Sequence, residues 1–281
     1  MDNETSIKIY GLLGNPIKHS LSPLMHNAAF HALGLNAKYE LFEKEPHEVE
    51  GFLQSLEIKN ICGINVTVPY KEKVIPFLSS LSEEAQLIGA VNTIKVCSNK
   101  LEGYNTDGEG FIKHLTADLR FDPRNRSVAM LGAGGASKAI AVYLSIYKIK
   151  SLSIFDIDKY KLNALVEHLA KHFKAVQFKA CSSVEELNIK NCQLLINATP
   201  IGVKENDPCL VSENLIHPEL LVYDLIYNPA QTKLLALARK RRAGASNGLG
   251  MLLHQGAAAF KIWTGREAPL AAMRQALMPR S

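Results

Sequence analysis

A stretch of the chain with one charged residue, residues 127–147, most constrains the fold. Lys138 is its only charge, and the stretch is long enough to suggest a membrane-spanning helix. Gly132, Gly134 and Gly135, followed by small residues, divide it instead into an apolar strand at 128–131, a turn, and a helix that begins at or near Ala136. A strand–turn–helix unit of this kind is typical of α/β proteins, so the stretch predicts an α/β fold and no membrane association.

The same alternation of short apolar runs with helical patterns extends along the chain. It predicts a parallel sheet with helices on its faces, because each strand is followed by a segment of helical periodicity. In the first half, strands are predicted at 7–13, 39–42, 64–68, 91–96 and 101–104, and helices at 23–33 and 47–56. After the polar segment 121–126, which contains a proline, further strands are predicted at 128–131, 152–155, 175–179, 194–197 and 221–225, and an amphipathic helix at 251–263. This polar segment predicts the start of a second α/β unit.

Composition and charge restrict the partners. With 32 Lys and Arg against 27 Asp and Glu, the net charge of +5 suits a small anionic molecule and is too diluted for a nucleic-acid surface. The five cysteines include no C-x-x-C pair, which predicts buried thiols in a reducing cytoplasm rather than zinc or disulfides. His19, His26 and His31 do not share one helical face, so no metal site is predicted and they are interpreted as structural or solvent-facing.

The turn after the strand at 128–131 has the spacing of a dinucleotide-binding motif. Gly132, Gly134 and Ser137 match G-x-G-x-x-small between a strand and a helix. Gly132 permits the tight turn, Gly134 lets the backbone approach a pyrophosphate, and the free N–H groups of the new helix bind that anion. The predicted cofactor contacts in this turn are Gly132, Ala133, Gly134, Gly135 and Ala136.

Asp156, at the end of the next strand, selects between the two nicotinamide cofactors. It lies close to the spacing of about 20 residues from the first glycine at which an acid binds the adenosine ribose. A carboxylate repels the 2′-phosphate of NADP, and the neighbouring Ile157 offers no cation to neutralise it. NAD is therefore the predicted cofactor. The alternative is that Asp156 caps the next helix, although Asp158 is the better candidate for that cap.

Several polar clusters each lie just past a predicted strand, where an open α/β sheet has its ligand crevice. They are Gly14-Asn15-Pro16-Ile17-Lys18-His19-Ser20-Leu21-Ser22-Pro23, Asn65-Val66-Thr67-Val68-Pro69-Tyr70-Lys71 and Gly103-Tyr104-Asn105-Thr106-Asp107-Gly108. With Gly89-Ala90-Val91-Asn92-Thr93, Asn197-Ala198-Thr199-Pro200 and the segment Asn247-Gly248-Leu249-Gly250-Met251-Leu252-Leu253-His254-Gln255-Gly256, they occur in one order along the chain. In this order the chain resembles the shikimate dehydrogenase family, including relatives that accept quinate, from about residue 8 to 265.

The resemblance implies oxidation of the C3 hydroxyl of shikimate, or reduction of 3-dehydroshikimate, with a hydride exchanged at a nicotinamide. It implies that Ser20, Ser22 and Tyr227 bind the substrate carboxylate. The remaining substrate contacts that it implies are Asn65, Thr67, Lys71, Asn92, Asp107 and Gln255. It adds Thr199, Leu225 and Gly248 to the cofactor contacts.

Lys71 and Asp107 are the predicted catalytic residues. Hydride loss from carbon accompanies proton loss from oxygen, and a lysine paired with a carboxylate can act as the acid/base. Taken separately, Lys71 would be interpreted as a surface lysine and Asp107 as a helix N-cap. Serine, threonine and amide side chains suit a polyhydroxylated acid, because short donors and acceptors distinguish its hydroxyls.

The chain departs from the family pattern at the ribose. NADP-using members carry Asn-Arg-Thr where this chain has Asp156-Ile157-Asp158, so the residues predict NAD although the family alone predicts NADP. Members with an acid here often accept quinate. The hypotheses are therefore an NAD-dependent shikimate dehydrogenase, a quinate/shikimate dehydrogenase of catabolic bias, and a nucleotide-sensing protein without catalysis.

Two α/β domains are expected. Residues 1–106 and 249–281 form a discontinuous substrate domain with a mixed, mainly parallel sheet, completed by the C-terminal helix that carries Gln255. Residues 107–248 form a Rossmann-type NAD domain that includes the linker helix. A cytoplasmic location is expected, because the N-terminus lacks the basic and apolar regions of a secretory signal. A monomer or homodimer is expected.

Overall fold

The computed structural model of the chain describes residues 6–98 and 100–278. These residues fall into two compact units, one within Met1–Gly110 and Leu252–Ser281 and the other within Phe111–Met251. The α-helices, in chain order, are α1 (Ser22–Ala32), α2 (Val49–Gln54), α3 (Glu83–Ile88), α4 (Asp107–Lys113), α5 (Gly135–Ile146), α6 (Lys159–His172), α7 (Lys233–Lys240), α8 (Leu249–Thr264) and α9 (Leu270–Leu277).

The first unit is built on a six-stranded mixed sheet. Its strands are β1 (Lys8–Gly14), β2 (Ala37–Glu43), β3 (Ile61–Val66), β4 (Ser80–Leu81), β5 (Thr93–Cys97) and β6 (Lys100–Tyr104). They lie in the order β2-β1-β3-β5-β6-β4, with β5 antiparallel to both of its neighbours and the other pairs parallel. One face packs on an apolar cluster that includes Leu53, Ile64 and Ile94.

An aromatic cluster of the first unit brings α8 against the sheet. The Trp263 indole donates to the Ile94 carbonyl at 3.0 Å and packs beside Tyr10, His26 and Tyr39. Gly63 permits this contact, because a Cβ there would lie only 2.4 Å from the indole ring. Glycine is therefore the residue that lets α8 lie so close to β3.

The second unit is an all-parallel sheet with helices. Its strands are β7 (Ser127–Leu131), β8 (Ser151–Phe155), β9 (Gln177–Cys181), β10 (Leu194–Asn197), β11 (Leu221–Asp224) and β12 (Gly244–Asn247). They lie in the order β12-β11-β10-β7-β8-β9, and every neighbouring pair is parallel. This is the doubly wound Rossmann order, with the switch point between β7 and β10. The predicted fold class, a mixed sheet plus a Rossmann-type domain, is confirmed.

The predicted apolar strands correspond to observed strands, with shifts at their ends. The strand predicted at 64–68 ends at Val66, because residues 67–69 leave the sheet and Val68 and Pro69 are exposed. The strand predicted at 175–179 lies two residues later, at Gln177–Cys181. The helix predicted at 47–56 is a 3₁₀ turn, Pro46–Glu48, followed by α2.

The nearly uncharged stretch at 127–147 is strand β7, a glycine turn and α5, a helix of 12 residues. Across the described part of the chain, every helix is too short or too polar to cross a bilayer.

Candidate active site and cofactor site

Lys71 and Asp107 form a largely buried ion pair in the first unit. Lys71 follows β3 after a short turn, and Asp107 begins α4 immediately after β6. The Lys71 Nζ lies 2.5 Å from the Asp107 Oδ2, and only 13% and 7% of the two side chains are exposed. A pair so little exposed is screened far less by water and salt than a surface pair. The carboxylate faces Lys71 rather than the first turn of its own helix.

Asn92 holds the other oxygen of the Asp107 carboxylate. Its Nδ2 donates to Asp107 Oδ1 and to Thr106 Oγ1, both at 2.9 Å, and its Oδ1 accepts from the Thr106 N–H at 2.8 Å. The Asn105 side chain accepts from the Asp107 N–H at 3.0 Å and donates to the Ala90 carbonyl at 2.8 Å. Both carboxylate oxygens of Asp107 are thus oriented by neighbouring side chains.

Gln255 and Asn65 join the same network. The Gln255 Oε1 lies 3.3 Å from Asn92 Nδ2, while its Nε2 donates to the Leu252 carbonyl at 2.9 Å. Gly110 lets α4 and Gln255 approach, because a Cβ there would be 2.6 Å from the Gln255 nitrogen. Asn65 is 4% exposed and accepts from the Tyr39 hydroxyl at 2.8 Å.

Three further residues that the resemblance assigns to substrate binding, Ser20, Thr67 and Tyr227, are all half-buried. Ser20 is half-buried and its Oγ accepts from the N–H of Ser22, the first residue of α1, at 3.2 Å. Thr67 follows β3 and is half-buried. Tyr227 is half-buried in the second unit, after β11. Within the first unit, the hydrogen-bond network unites Lys71, Asp107, Asn92, Gln255 and Asn65.

In the second unit, the glycine turn has the shape that a dinucleotide requires. Gly132 has a φ of +105°, and a Cβ there would lie 2.9 Å from the Ala198 carbonyl, so the turn needs glycine. Gly134 is the N-cap of α5 and has no side chain to cap the first N–H groups of the helix, and a Cβ there would meet nothing within 4 Å. The first N–H groups of α5 therefore stand beside open space, which fits the approach of a pyrophosphate.

The Asp156 carboxylate faces this turn. Its Oδ2 accepts from the Ala133 N–H and its Oδ1 from the Asp158 N–H, each at 2.7 Å. Helix α6 is capped by Asp158, whose side chain accepts from the N–H groups of Tyr160 and Lys161, so the alternative that Asp156 is the cap is wrong. Ile157 is 92% exposed, and Lys161 pairs with Asp158 at 3.0 Å.

A buried carboxylate that the sequence analysis did not single out organises the opposite strand ends. Asp224, fully buried, accepts from Asn197 Nδ2 at 3.0 Å, the Ile226 N–H at 3.1 Å and the Thr232 hydroxyl at 2.7 Å. Burial raises the pKa of the Asp224 carboxyl, against the hydrogen bonds that lower it. An acid at the end of the apolar run at 221–225 was the available signal.

Three of the predicted cofactor residues, Thr199, Leu225 and Gly248, lie beside the network of Asp224. Thr199 donates its N–H at 3.1 Å and its hydroxyl at 2.7 Å to Asn197 Oδ1. Leu225 follows Asp224 directly, and a Cβ at Gly248 would lie 2.0 Å from the Leu225 carbonyl oxygen. Because all strands of the sheet are parallel, Gly132, Asp156, Thr199, Leu225 and Gly248 follow strand ends on one edge of the sheet.

The three histidines near the N-terminus lie in different surroundings. His19 and His31 are exposed, whereas His26 is fully buried in the aromatic cluster. Within residues 6–98 and 100–278, no group of three or more His, Cys, Asp or Glu side chains is placed to hold a metal ion.

The Rossmann order and the glycine turn with Asp156 are the features of an NAD(P)-dependent oxidoreductase. A largely buried Lys–Asp pair such as Lys71–Asp107 is chemically able to act as the acid/base on a CH–OH group. Two family models match: the shikimate dehydrogenase substrate binding domain at residues 12–94 and the shikimate 5'-dehydrogenase C-terminal domain at 248–278. The shikimate dehydrogenase (NADP(+)) of Methanopyrus kandleri is 42% identical over 99% of this chain and 97% of its own. The chain belongs to the shikimate dehydrogenase family.

Solved structures agree with this assignment. The shikimate dehydrogenase of Aquifex aeolicus has a TM-score of 0.89 at 38% identity, covering 97% of this chain and 98% of its own. The Listeria monocytogenes shikimate 5-dehydrogenase in complex with shikimate and NAD has a TM-score of 0.87 at 35% identity, covering 97% and 96%. The Corynebacterium glutamicum quinate dehydrogenase in complex with NAD has a TM-score of 0.87 at 28% identity, covering 96% and 98%.

Proposed function

We propose that this chain is a shikimate dehydrogenase that interconverts shikimate and 3-dehydroshikimate and prefers NAD to NADP. The observation that carries the reaction is the Lys71–Asp107 pair, which is largely buried and joined to Asn92 and Gln255. The Listeria monocytogenes structure contains shikimate, and the Methanopyrus kandleri relative is named a shikimate dehydrogenase. The cofactor, when bound, accepts or returns the hydride.

The chain's own residues account for the proton. The Lys71 ammonium has three hydrogens to donate, and one of them bonds Asp107 Oδ2. The remaining hydrogens can bond the oxygen of the substrate. When 3-dehydroshikimate is reduced, the Lys71 ammonium donates a proton to the carbonyl oxygen and a neutral amine remains. When shikimate is oxidised, that neutral amine accepts the hydroxyl proton through its lone pair. Asn92 holds the Asp107 carboxylate, and Asn105 holds the Asp107 backbone N–H, during this exchange. Ser20 and Ser22, at the start of α1, bind the substrate carboxylate with support from the helix dipole.

The proposed preference for NAD rests on Asp156. A carboxylate that already accepts the Ala133 N–H is turned toward the glycine turn, where its remaining lone pairs can accept ribose hydroxyls. A 2′-phosphate would meet this negative charge, and the nearby Lys161 is engaged with Asp158. The Methanopyrus kandleri relative is named for NADP, whereas the Listeria monocytogenes structure contains NAD.

A spectrophotometric assay of shikimate and quinate, each with NAD and NADP, tests both parts of the proposal. We expect kcat/KM with NAD to exceed that with NADP, and Asp156→Asn to narrow the ratio at least about tenfold, because it removes the charge but keeps an acceptor. Asp158→Asn is the matched control, since Asp158 caps α6 and does not bond the turn. Wild-type preference for NADP would refute the role of Asp156.

Quinate is a second candidate substrate, supported by the NAD-containing quinate dehydrogenase of Corynebacterium glutamicum. Comparable kcat/KM for the two acids would favour it. A nucleotide-sensing protein without catalysis would bind NAD but reduce no dehydroshikimate, and the retained Lys71–Asp107 pair argues against it. The cytoplasmic location and the monomeric or homodimeric state stay predictions.

A further inference from the structure

We propose that Thr93 is a positioning residue: its buried hydroxyl sets the orientation of the Asn92 amide and so holds Asp107 in place for proton exchange. The proposal rests on the proposed function, because it assigns Asp107 to that step. Thr93 is fully buried at the start of β5, and it is paired in register with Asn65 of β3. No part of its role requires it to touch substrate.

The direction of each hydrogen bond around Thr93 follows from a backbone carbonyl. The Asn65 Nδ2 lies 3.2 Å from the Asn92 carbonyl oxygen, which can only accept, so this end of the Asn65 amide is its NH₂ group. The same NH₂ lies 3.0 Å from Thr93 Oγ1, which must therefore accept its second hydrogen. The Tyr39 hydroxyl at 2.8 Å supplies the donor that the other end of the Asn65 amide needs.

Thr93 then has a single hydrogen left to donate. It goes to Asn92 Oδ1 at 2.9 Å rather than to the Thr106 hydroxyl, which lies farther away at 3.4 Å. The N–H and the hydroxyl of Thr106 also donate to Asn92 Oδ1, at 2.8 and 3.2 Å, so the NH₂ group of the Asn92 amide faces Asp107 Oδ1. The Thr93 hydroxyl thus links the two amides. The Asn92 carbonyl fixes the orientation of the Asn65 amide, Thr93 passes that direction of hydrogen bonding to the Asn92 amide, and the Asn92 NH₂ group holds the Asp107 carboxylate.

Removal of this hydroxyl leaves one N–H of Asn65 without its acceptor and takes the Thr93 donor from Asn92 Oδ1, which keeps only the N–H and the more distant hydroxyl of Thr106. A buried polar group without a partner raises the free energy of the folded state, so the amides of Asn65 and Asn92 become less firmly held in their orientation. The loss falls on the residues that hold Asp107, whereas the cofactor turn belongs to the other unit. The expected signature is therefore a loss of turnover without a loss of cofactor affinity.

The test compares Thr93→Val, which is nearly isosteric, with Thr93→Ser, which keeps the hydroxyl. We expect Thr93→Val to lower kcat for shikimate oxidation at least about tenfold while the dissociation constant of NADH changes less than about twofold. Thr93→Ser should recover most of the turnover. Thr116→Val is the control, because the Thr116 hydroxyl donates to the Ile112 carbonyl, one helical turn earlier in the chain.

A second pair protects the test if valine is not accommodated. Thr93→Ser and Thr93→Ala differ by the hydroxyl alone, and thermal unfolding confirms that each variant is folded at the assay temperature. Wild-type turnover in Thr93→Val or Thr93→Ala, or equal impairment in Thr93→Ser, would overturn the proposal. Absence of wild-type activity with either acid and either cofactor would instead refute the proposed function, and with it this role.

Discussion

His26 predicts a specific dependence of stability on pH. Its imidazole is fully buried, stacks on Tyr39 with ring centres 4.4 Å apart, and lies 5.4 Å from Trp263. Neither ring nitrogen has a hydrogen-bond partner among the residues that the structure describes. Burial lowers the pKa of His26 from 6.5 to about 3, because the charged ring would have no compensation there.

The sign and size of the effect follow from this shift. Below pH 6.5 the unfolded chain binds a proton on His26 that the folded chain does not, so stability falls as the pH is lowered. The loss is about 1.4 kcal/mol per pH unit, or about 2 kcal/mol at pH 5 relative to pH 8. It continues until the pH reaches the folded-state value of about 3.

The perturbation is His26→Leu, which removes the titrating group from the same buried position. Urea unfolding at pH 5, 6 and 8 can be followed by fluorescence of Trp263, the single tryptophan of the chain and a neighbour of His26. We expect the variant to lose about 2 kcal/mol less stability than the wild type between pH 8 and pH 5, whatever its stability at pH 8. Parallel pH curves would refute the reasoning, and the exposed His31→Gln serves as control.

Three further predictions follow from the two sites. Burial raises the pKa of Asp224, so the contribution of this carboxyl to stability is present below about pH 4 and is lost as the pH rises through the folded-state pKa. In urea unfolding, Asp224→Asn should therefore gain stability relative to the wild type as the pH is raised above about 4, and a difference that does not change with pH would contradict this. Lys71→Ala should lower turnover by about 10²–10⁴-fold while NADH affinity changes little, with the exposed Lys73→Ala as control; equal turnover would remove Lys71 from the mechanism. Gly248→Ala places a Cβ 2.0 Å from the Leu225 carbonyl oxygen and should weaken NADH binding in a fluorescence titration. Gly51→Ala is the control, because a Cβ there meets nothing within 4 Å. Unchanged NADH binding in Gly248→Ala would argue against a cofactor contact at Gly248.

Elements with a strong local pattern were predictable. Strands β7, β8, β10 and β11 are apolar runs, and the turn at Gly132 needs glycine for its positive φ whatever surrounds it. Strand β12, Gly244–Asn247, was missed because its residues are small and polar, and it is a strand because β11 supplies its hydrogen-bonding partner. Strand β4 has only two residues and forms beside β6 for the same reason.

The site residues also separate into those that the sequence predicts and those that only the structure reveals. Residue types and spacing were enough to predict the dinucleotide turn and the acid at Asp156, because each has a chemical requirement that few residue types meet. The pairing of Lys71 with Asp107 was predicted from the family resemblance. The roles of Thr93, Asp224 and His26 depend on neighbours brought from distant positions, such as Asn65 for Thr93 and Thr232 for Asp224. Hydrogen-bond direction and burial are properties of these surroundings rather than of the residue, so only the folded chain decides them.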